Sequence, residues 1–295
     1  AWGKEQEGNT AYQQLFNGKQ VVTREGLMTL HRVDEKVLVE FPLNLLGKEM
    51  MFTSAIRSIS DNGEGVVGQF SGNSTVFTFV RVDSVIQARV KVPSLGNMKN
   101  ISGDRAVDQA LEQSNKPGVY KTFRILASTS DERAVVVDMT SFFLEHTSYT
   151  SPFPNYAGNS MFGLVFRNHK VQADRTMLCG IKAFPNNIVV TAEQGYDVDQ
   201  LFMGSMLVKK DEKVSVVSDK ILMLLPEEVM DVRKADSRVG VGFVKQTTFA
   251  GGRDKLQTSY WATRWRIEPA DVEGYRNGKL VEPKKPIVFY LDSVM

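Results

Sequence analysis

The stretch "TVFTFVRVDSVIQARVKV", residues 75–92, limits what this chain can fold into more than any other. In its second half Ile86, Ala88, Val90 and Val92 share one parity, and Val85, Gln87, Arg89 and Lys91 share the other. Successive side chains of a strand point to opposite sides, so a period of two predicts a strand with one wet face. The first half, 75–82, is rich in β-branched and aromatic residues, which predicts a strand with apolar side chains on both faces. "RAVVVDM" (133–139), "FGLVFR" (162–167), "NIVVTAE" (187–193) and "EKVSVVSD" (212–219) read the same way. Turn-forming runs separate them: "DNGEG" (61–65), "STSDER" (128–133), "FRNHK" (166–170) and "FPNN" (184–187). Strands joined by short turns predict antiparallel sheets rather than βαβ units.

Helical signals are fewer. Residues 9–18 carry a cap at Asn9 or Thr10 and a glycine stop, and residues 103–114 open on Asp104 with Val107, Ala110 and Leu111 on one face. Shorter helices are expected at 139–146 and 226–232. The expected fold class is therefore α+β and β-dominated, mostly antiparallel sheets with a few short helices. Residues 148–160 read as a long surface loop, and 274–286 as a linker or exposed excursion. Beyond Pro286, the apolar run from Ile287 to Leu291 reads as the entry of a buried strand.

With 295 residues, 42% hydrophobic and 24% charged, the chain can build one large domain or two ordinary ones. A formal net charge of +2 gives no nucleic-acid footprint. The aliphatic run near Ile221–Leu225 is far too short to span a bilayer, so no membrane span is expected. Cys179 is the single cysteine, which excludes an internal disulfide and a cysteine-based zinc site. Its apolar surroundings predict a buried, inert thiol.

No active site is recognisable. His31, His146 and His169 show no H-E-x-x-H spacing and read as surface or capping residues. There is no G-x-S-x-G elbow and no phosphate-binding loop, so no catalytic residue, metal ligand or cofactor is assigned to the chain. Two constellations remain. In "MDVRKADSRVGVGF" (230–243), Asp231, Arg233, Asp236 and Arg238 alternate in sign. Arginine forks suit bidentate pairing within the turn or across an interface, and the plain alternative is a solvated charged turn. In "SYTSPFPNYAGNSMF" (148–162), Phe153 and Tyr156 are candidates to line a groove, unless they pack on their own sheet. Trp261 and Trp265 in "YWATRWRIEP" read as core anchors or as interface residues.

Several blocks together resemble a known family. "LMTLHRVDEKVLVEFPLNLLGKEMMFTSAI" (27–56), with Glu40, Pro42, Leu45, Leu46 and Gly47, is similar to the N-terminal segment of exported zinc-dependent metalloproteases of metzincin-like type from Bacteroides-like bacteria. "IKAFPNNIVVTAEQGYD" (181–197), "LLPEEVMDVRKADSRVGVGF" (224–243), "RWRIEP" (264–269) and "KKPIVFYLD" (284–292) resemble the domain of unknown function that follows it there. Arg233, Asp236, Arg238, Val239 and Gly240 fit that domain's motif, with Ser237 in place of the usual proline and Val241 in place of the usual aromatic.

The resemblance implies a small N-terminal segment (1–60) packed on an antiparallel β-rich domain (61–285), with 286–295 opening a catalytic domain beyond Met295. It implies a non-catalytic accessory or pro-type region that docks on or shapes the protease cleft. No cofactor is expected in this chain, zinc being held by the following domain, and the expected partner is that domain, with a protein or glycan substrate as a further one. Export to the periplasm, cell surface or medium is implied as well. Arg233, Asp236, Arg238 and Gly240 are the docking candidates, and Asp236 could fill the open position of a catalytic zinc. The alternative function is an independent glycan- or protein-binding module built on Phe153 and Tyr156.

Overall fold

In the computed structural model, residues 11–71, 74–90, 105–114, 116–153, 165–249 and 256–289 are described. The chain is β-dominated, its sheets are antiparallel and its helices are short. It divides into two compact units, Ala1–Pro93 with Lys116–Pro226, and Ser94–Asn115 with Glu227–Met295.

The first unit is one eleven-stranded sheet. In chain order its strands are β1 (Val21–Arg24), β2 (Thr29–Val33), β3 (Lys36–Pro42), β4 (Glu49–Ile59), β5 (Thr75–Val82) and β6 (Val85–Val90). They continue with β7 (Gly118–Ser128), β8 (Ala134–Asp138), β9 (Val165–Phe184), β10 (Asn187–Phe202) and β11 (Met206–Leu224). Across the sheet they run β1, β2, β3, β8, β7, β6, β5, β4, β11, β10, β9. The segment up to Ser60 contributes strands to this same sheet: β4 pairs with both β5 and β11.

The sheet curls until its far ends meet. Leu27 N donates to Phe184 O at 2.7 Å, and Arg32 Nη1 donates to Cys179 O at 3.1 Å. Gly26 makes this approach possible, since a Cβ there would sit 2.6 Å from Phe184 N. Inside, the in-phase residues of every strand except β1 converge on one apolar core. Helix α3 (Thr140–Leu144) adds Phe142 and Phe143, and the Phe142 ring lies 5.2–6.1 Å from those of Phe52, Phe77, Phe79, Tyr120, Phe123 and Phe143. Edge-on aromatic pairs of this kind add about 0.5–1.5 kcal/mol each beyond their area.

A turn of helix, α1 (residues 11–16), packs on the outer face against Val33, Leu38 and Val136. Tyr12 Oη donates to Glu40 Oε1 at 2.5 Å, and His31 Nε2 lies 2.9 Å from the same oxygen. His31 Nδ1 is 2.9 Å from Thr23 Oγ1, so His31 is buried and paired rather than a surface histidine.

The second unit holds α2 (Arg105–Ser114), the hairpin β12 (Phe243–Phe249) with β13 (Leu256–Ala262), and α4 (Val272–Arg276). Asp271 caps α4 by accepting from Gly274 N at 2.9 Å, and a Cβ on Gly274 would clash with that carboxylate at 2.3 Å.

Three expectations fail locally. No helix forms at 226–232, because Arg266 Nη1 donates to Glu228 O and Arg264 Nη2 to Asp231 O, carbonyls that a helix would need for its own N–H groups. The turn expected at 166–170 lies inside β9, where pairing of Asn168 with Asp199 and His169 with Val198 overrides local propensity. Ile287, Val288 and Phe289 are exposed and belong to no strand, and residues 290–295 lie outside the described ones.

Candidate functional site

Toward one end of the curled sheet the inward alternation continues but its residues turn polar. Along β11 the inward series is Leu222, Lys220, Ser218, Val216, Val214; along β10 it is Ile188, Val190, Ala192, Gln194, Tyr196; along β4, Phe52 gives way to Ser54. Strand register places Lys220 opposite Ser54 and Ser218 opposite Ala192. A small apolar cluster of Ile56, Phe153, Tyr196, Val198, Val214 and Val216 lies beyond this layer.

The segment after α3 closes the layer. Lys220 Nζ donates to Thr150 O at 2.7 Å, and Ser54 Oγ donates to the same carbonyl at 3.3 Å. Gln194 Nε2 donates to Leu144 O at 2.7 Å. His169, on β9, sets Nε2 2.7 Å from Glu64 Oε2, while Arg167 Nε lies 2.8 Å from Glu64 Oε1. Phe153 stacks on the His169 ring at 3.8 Å, and Tyr196 meets His146 and Phe153 edge-on at 5.0 and 5.1 Å.

Burial dominates the electrostatics. Desolvation pushes Lys220 down to about 7. It pushes His146 down to about 3, helped by the nearby Lys220 and His169 charges, and drives the Tyr196 hydroxyl upward. At neutral pH His146 is thus an uncharged ring and Tyr196 a phenol, while Lys220 is poised between its two forms. Tyr196 and Lys220 are fully buried and the ring nitrogens of His146 are covered, so none of the three presents an exposed nucleophile. Among the described residues no group of three or more His, Cys, Asp or Glu could hold a metal ion.

Expectations for four residues are corrected here. His169 sits on a strand and is buried, and His146 is kept neutral instead of serving as a cationic helix cap. Phe153 is 2% exposed and stacked on His169, so it offers no groove surface. Its expected companion, Tyr156, lies outside the described residues. Cys179 is exposed, because β9 turns Leu178 inward and its neighbour outward. The polar layer went unread, although Ser218 and Lys220 stand in phase with apolar Val214, Val216 and Leu222, which was the available signal.

The charged turn takes a simpler form. Asp236 and Arg238 close a local fork, Arg238 Nε on Asp236 Oδ1 at 2.9 Å and Nη2 on Oδ2 at 2.6 Å. The guanidinium holds the Asp236 carboxyl below its usual range. Arg233 is exposed and contributes its carbonyl, which accepts from Ala262 N on β13 at 2.8 Å. A Cβ on Gly240 would meet nothing within 4 Å. The turn thus brings Asp236 and Arg238 together and leaves Arg233 and Gly240 outside that pair.

The N-terminal family-like block, 27–56, has clearer structural reasons. Glu40 joins Tyr12 to His31, Leu45 enters the core, and Gly47 takes a left-handed φ of 77°.

Apolar exposure is concentrated in 227–289. Gly274 is the only buried residue of this segment among those described, while Val229, Trp265, Ile267, Tyr275, Leu280 and Phe289 are all exposed, Trp265 at 66% and Phe289 at 77%. Trp261 is tied across the hairpin, its Nε1 donating to Gln246 Oε1 at 2.6 Å.

Residues 9–59 match the domain of unknown function DUF5118, and residues 68–270 match the domain of unknown function DUF5117. No curated protein and no solved structure matches the chain. Since residues 68–270 are more than half of the 295, the chain belongs to the DUF5117 family.

Proposed function

We propose that this chain is a non-catalytic accessory region of a zinc-dependent metallopeptidase, and that residues 227–289 dock on the protease domain. The observation that carries docking is the apolar surface of that segment: side chains from Val229 to Phe289 are exposed, with one buried glycine among the described residues. Exposed apolar surface on this scale marks an interaction site. The identity of the partner rests on the resemblance of residues 224–243, 264–269 and 284–292 to the region preceding such proteases. Zinc then belongs to the partner, and Asp236 with Arg238 supplies a charged rim to the docked surface. Export follows from the same resemblance.

The test is to mix the chain with the zinc-loaded protease domain and follow amide exchange across 227–289. Protection of that segment on mixing, together with no binding of the protease by a chain truncated after Pro226, supports docking. Unchanged exchange at saturating protease rejects it. Peptidase activity of the joined protein with and without the accessory region then separates a covering role from a scaffolding one: activity rises on removal in the first case and falls in the second.

A further inference from the structure

The polar layer of the first unit and the small cluster beside it hold four buried polar atoms with no hydrogen-bond partner among the described residues. They are Tyr196 Oη, Ser218 Oγ, Gln194 Oε1 and His169 Nδ1. Tyr196, Gln194 and Ser218 are fully buried, and His169 is nearly so. Native interiors rarely leave such groups unsatisfied, and four of them call for a guest. Lys220 adds to the demand: its amine carries at least two N–H bonds, and Thr150 O takes one of them.

The chemistry of the four atoms selects the guest. Tyr196, Ser218 and Lys220 offer hydrogens. Gln194 Oε1 offers lone pairs, because its amide nitrogen is already committed to Leu144 O. His169 points Nε2 at the Glu64 carboxylate, so Nε2 carries a hydrogen, and Nδ1 is left without a partner among the described residues. An anion would satisfy the donors and face the lone pairs of Gln194. A cation would find Glu64 as its carboxylate, already held by Arg167 and His169. A small neutral molecule that both donates and accepts fits all of them. We infer that this layer is a built hydration site, in which ordered water bridges Tyr196, Ser218, Gln194, His169 and the Lys220 amine.

Buried water in such sites makes two to four hydrogen bonds and is part of the fold. It gives the amine of Lys220 acceptors when charged and a donor when neutral, so the lysine titrates without the sheet opening.

Oxygen-17 relaxation dispersion of water on the whole chain tests this. The double variant Tyr196→Phe/Ser218→Ala is expected to lose the amplitude of at least one long-lived water, and an amplitude equal to that of the unsubstituted chain overturns the inference. Should the double variant fail to fold, Ser218→Ala alone decides. In a hydrated layer the substitution strands the water and lowers the melting temperature by roughly 2–4 °C. In a dry layer it removes an unsatisfied hydroxyl, and the melting temperature rises.

Discussion

The curled sheet and the segment 227–289 both have ordered backbone pairing, yet they bury their side chains in opposite ways. In the sheet, ten of the eleven strands send residues into one core, and aromatic rings crowd around Phe142. In 227–289 the β12–β13 pair has a full register, Lys234 bridges to Trp261 and Pro269 to Pro283, but no apolar core stands behind these bonds among the described residues. An isolated two-stranded hairpin is marginal in water. The difference teaches that hydrogen bonds shape both regions, while apolar burial stabilises only one of them. Arginine contacts to the Glu228 and Asp231 carbonyls tie the segment together, and its apolar side chains stay exposed.

Truncating one ring in each region has the largest expected effect. Phe142→Ala opens a cavity among six rings and is expected to cost about 3–5 kcal/mol in a denaturant titration. Trp265→Ala, at an exposed position, is expected to leave the midpoint of the free chain unmoved while weakening its binding to the protease domain. Equal destabilisation by the two substitutions would mean that 227–289 has a core of its own.

pH sharpens the same contrast. Lys220 titrates at about 7 in the native state against 10.5 for an ordinary lysine. Between those values the unfolded chain holds a proton that the folded chain has released, so stability falls as pH falls from 10.5 towards 7 and levels off below. The slope is at most about 1.4 kcal/mol per pH unit. His146, depressed from 6.5 to about 3, adds a second acid-side loss between those two values. Lys220→Met is expected to flatten the alkaline slope and, by removing a charge beside His146, to shrink the acid one without abolishing it. In 227–289 the lowered carboxyls of Asp236 and Glu268 are exposed and paired with Arg238 and Arg266, so their contribution fades with added salt. Chain melting curves at several pH values, at low and high salt, separate the two regions.

The outer staple gives a smaller effect. Tyr12→Phe removes one hydrogen bond to Glu40 and is expected to cost about 1 kcal/mol, with faster amide exchange over 11–16. A loss confined to α1, with the sheet unaffected, fits a helix held from outside.

Much of the sheet was legible because its signals are local. Residues 75–82 carry β-branched and aromatic side chains on both parities and form a strand over those same residues. The hairpin turn after Phe184 and the turn at 128–133 follow from proline, asparagine and aspartate chemistry. What escaped is non-local. "FRNHK" reads as a turn until β10 is laid beside it, and nothing near Phe153 in sequence announces that the His169 ring will cover it. Ser218 and Lys220 were the exception: their parity was visible, but a polar residue in an apolar phase reads as an error until the strands around it are known. In the charged turn, the alternation of sign at Asp236 and Arg238 left internal pairing, an interface and a solvated turn open, and the structure pairs the two internally.

That internal pairing makes the smallest prediction also the sharpest. Both carboxylate oxygens of Asp236 are engaged by Arg238 at an exposed position, so Asp236→Ala should leave the melting temperature of the free chain unchanged. If Asp236 reaches the open position of the partner's zinc, it must first exchange Arg238 for the metal. Arg238→Ala would then free the carboxylate and strengthen inhibition, while Asp236→Ala would relieve it, two opposite changes in the activity of the joined protein. If the fork merely rims the docked surface, both substitutions should weaken docking in the same direction. Peptidase rates of the two variants side by side decide between a zinc-directed carboxylate and a rim contact, and equal rates in both and in the unsubstituted protein would remove the turn from the interface altogether.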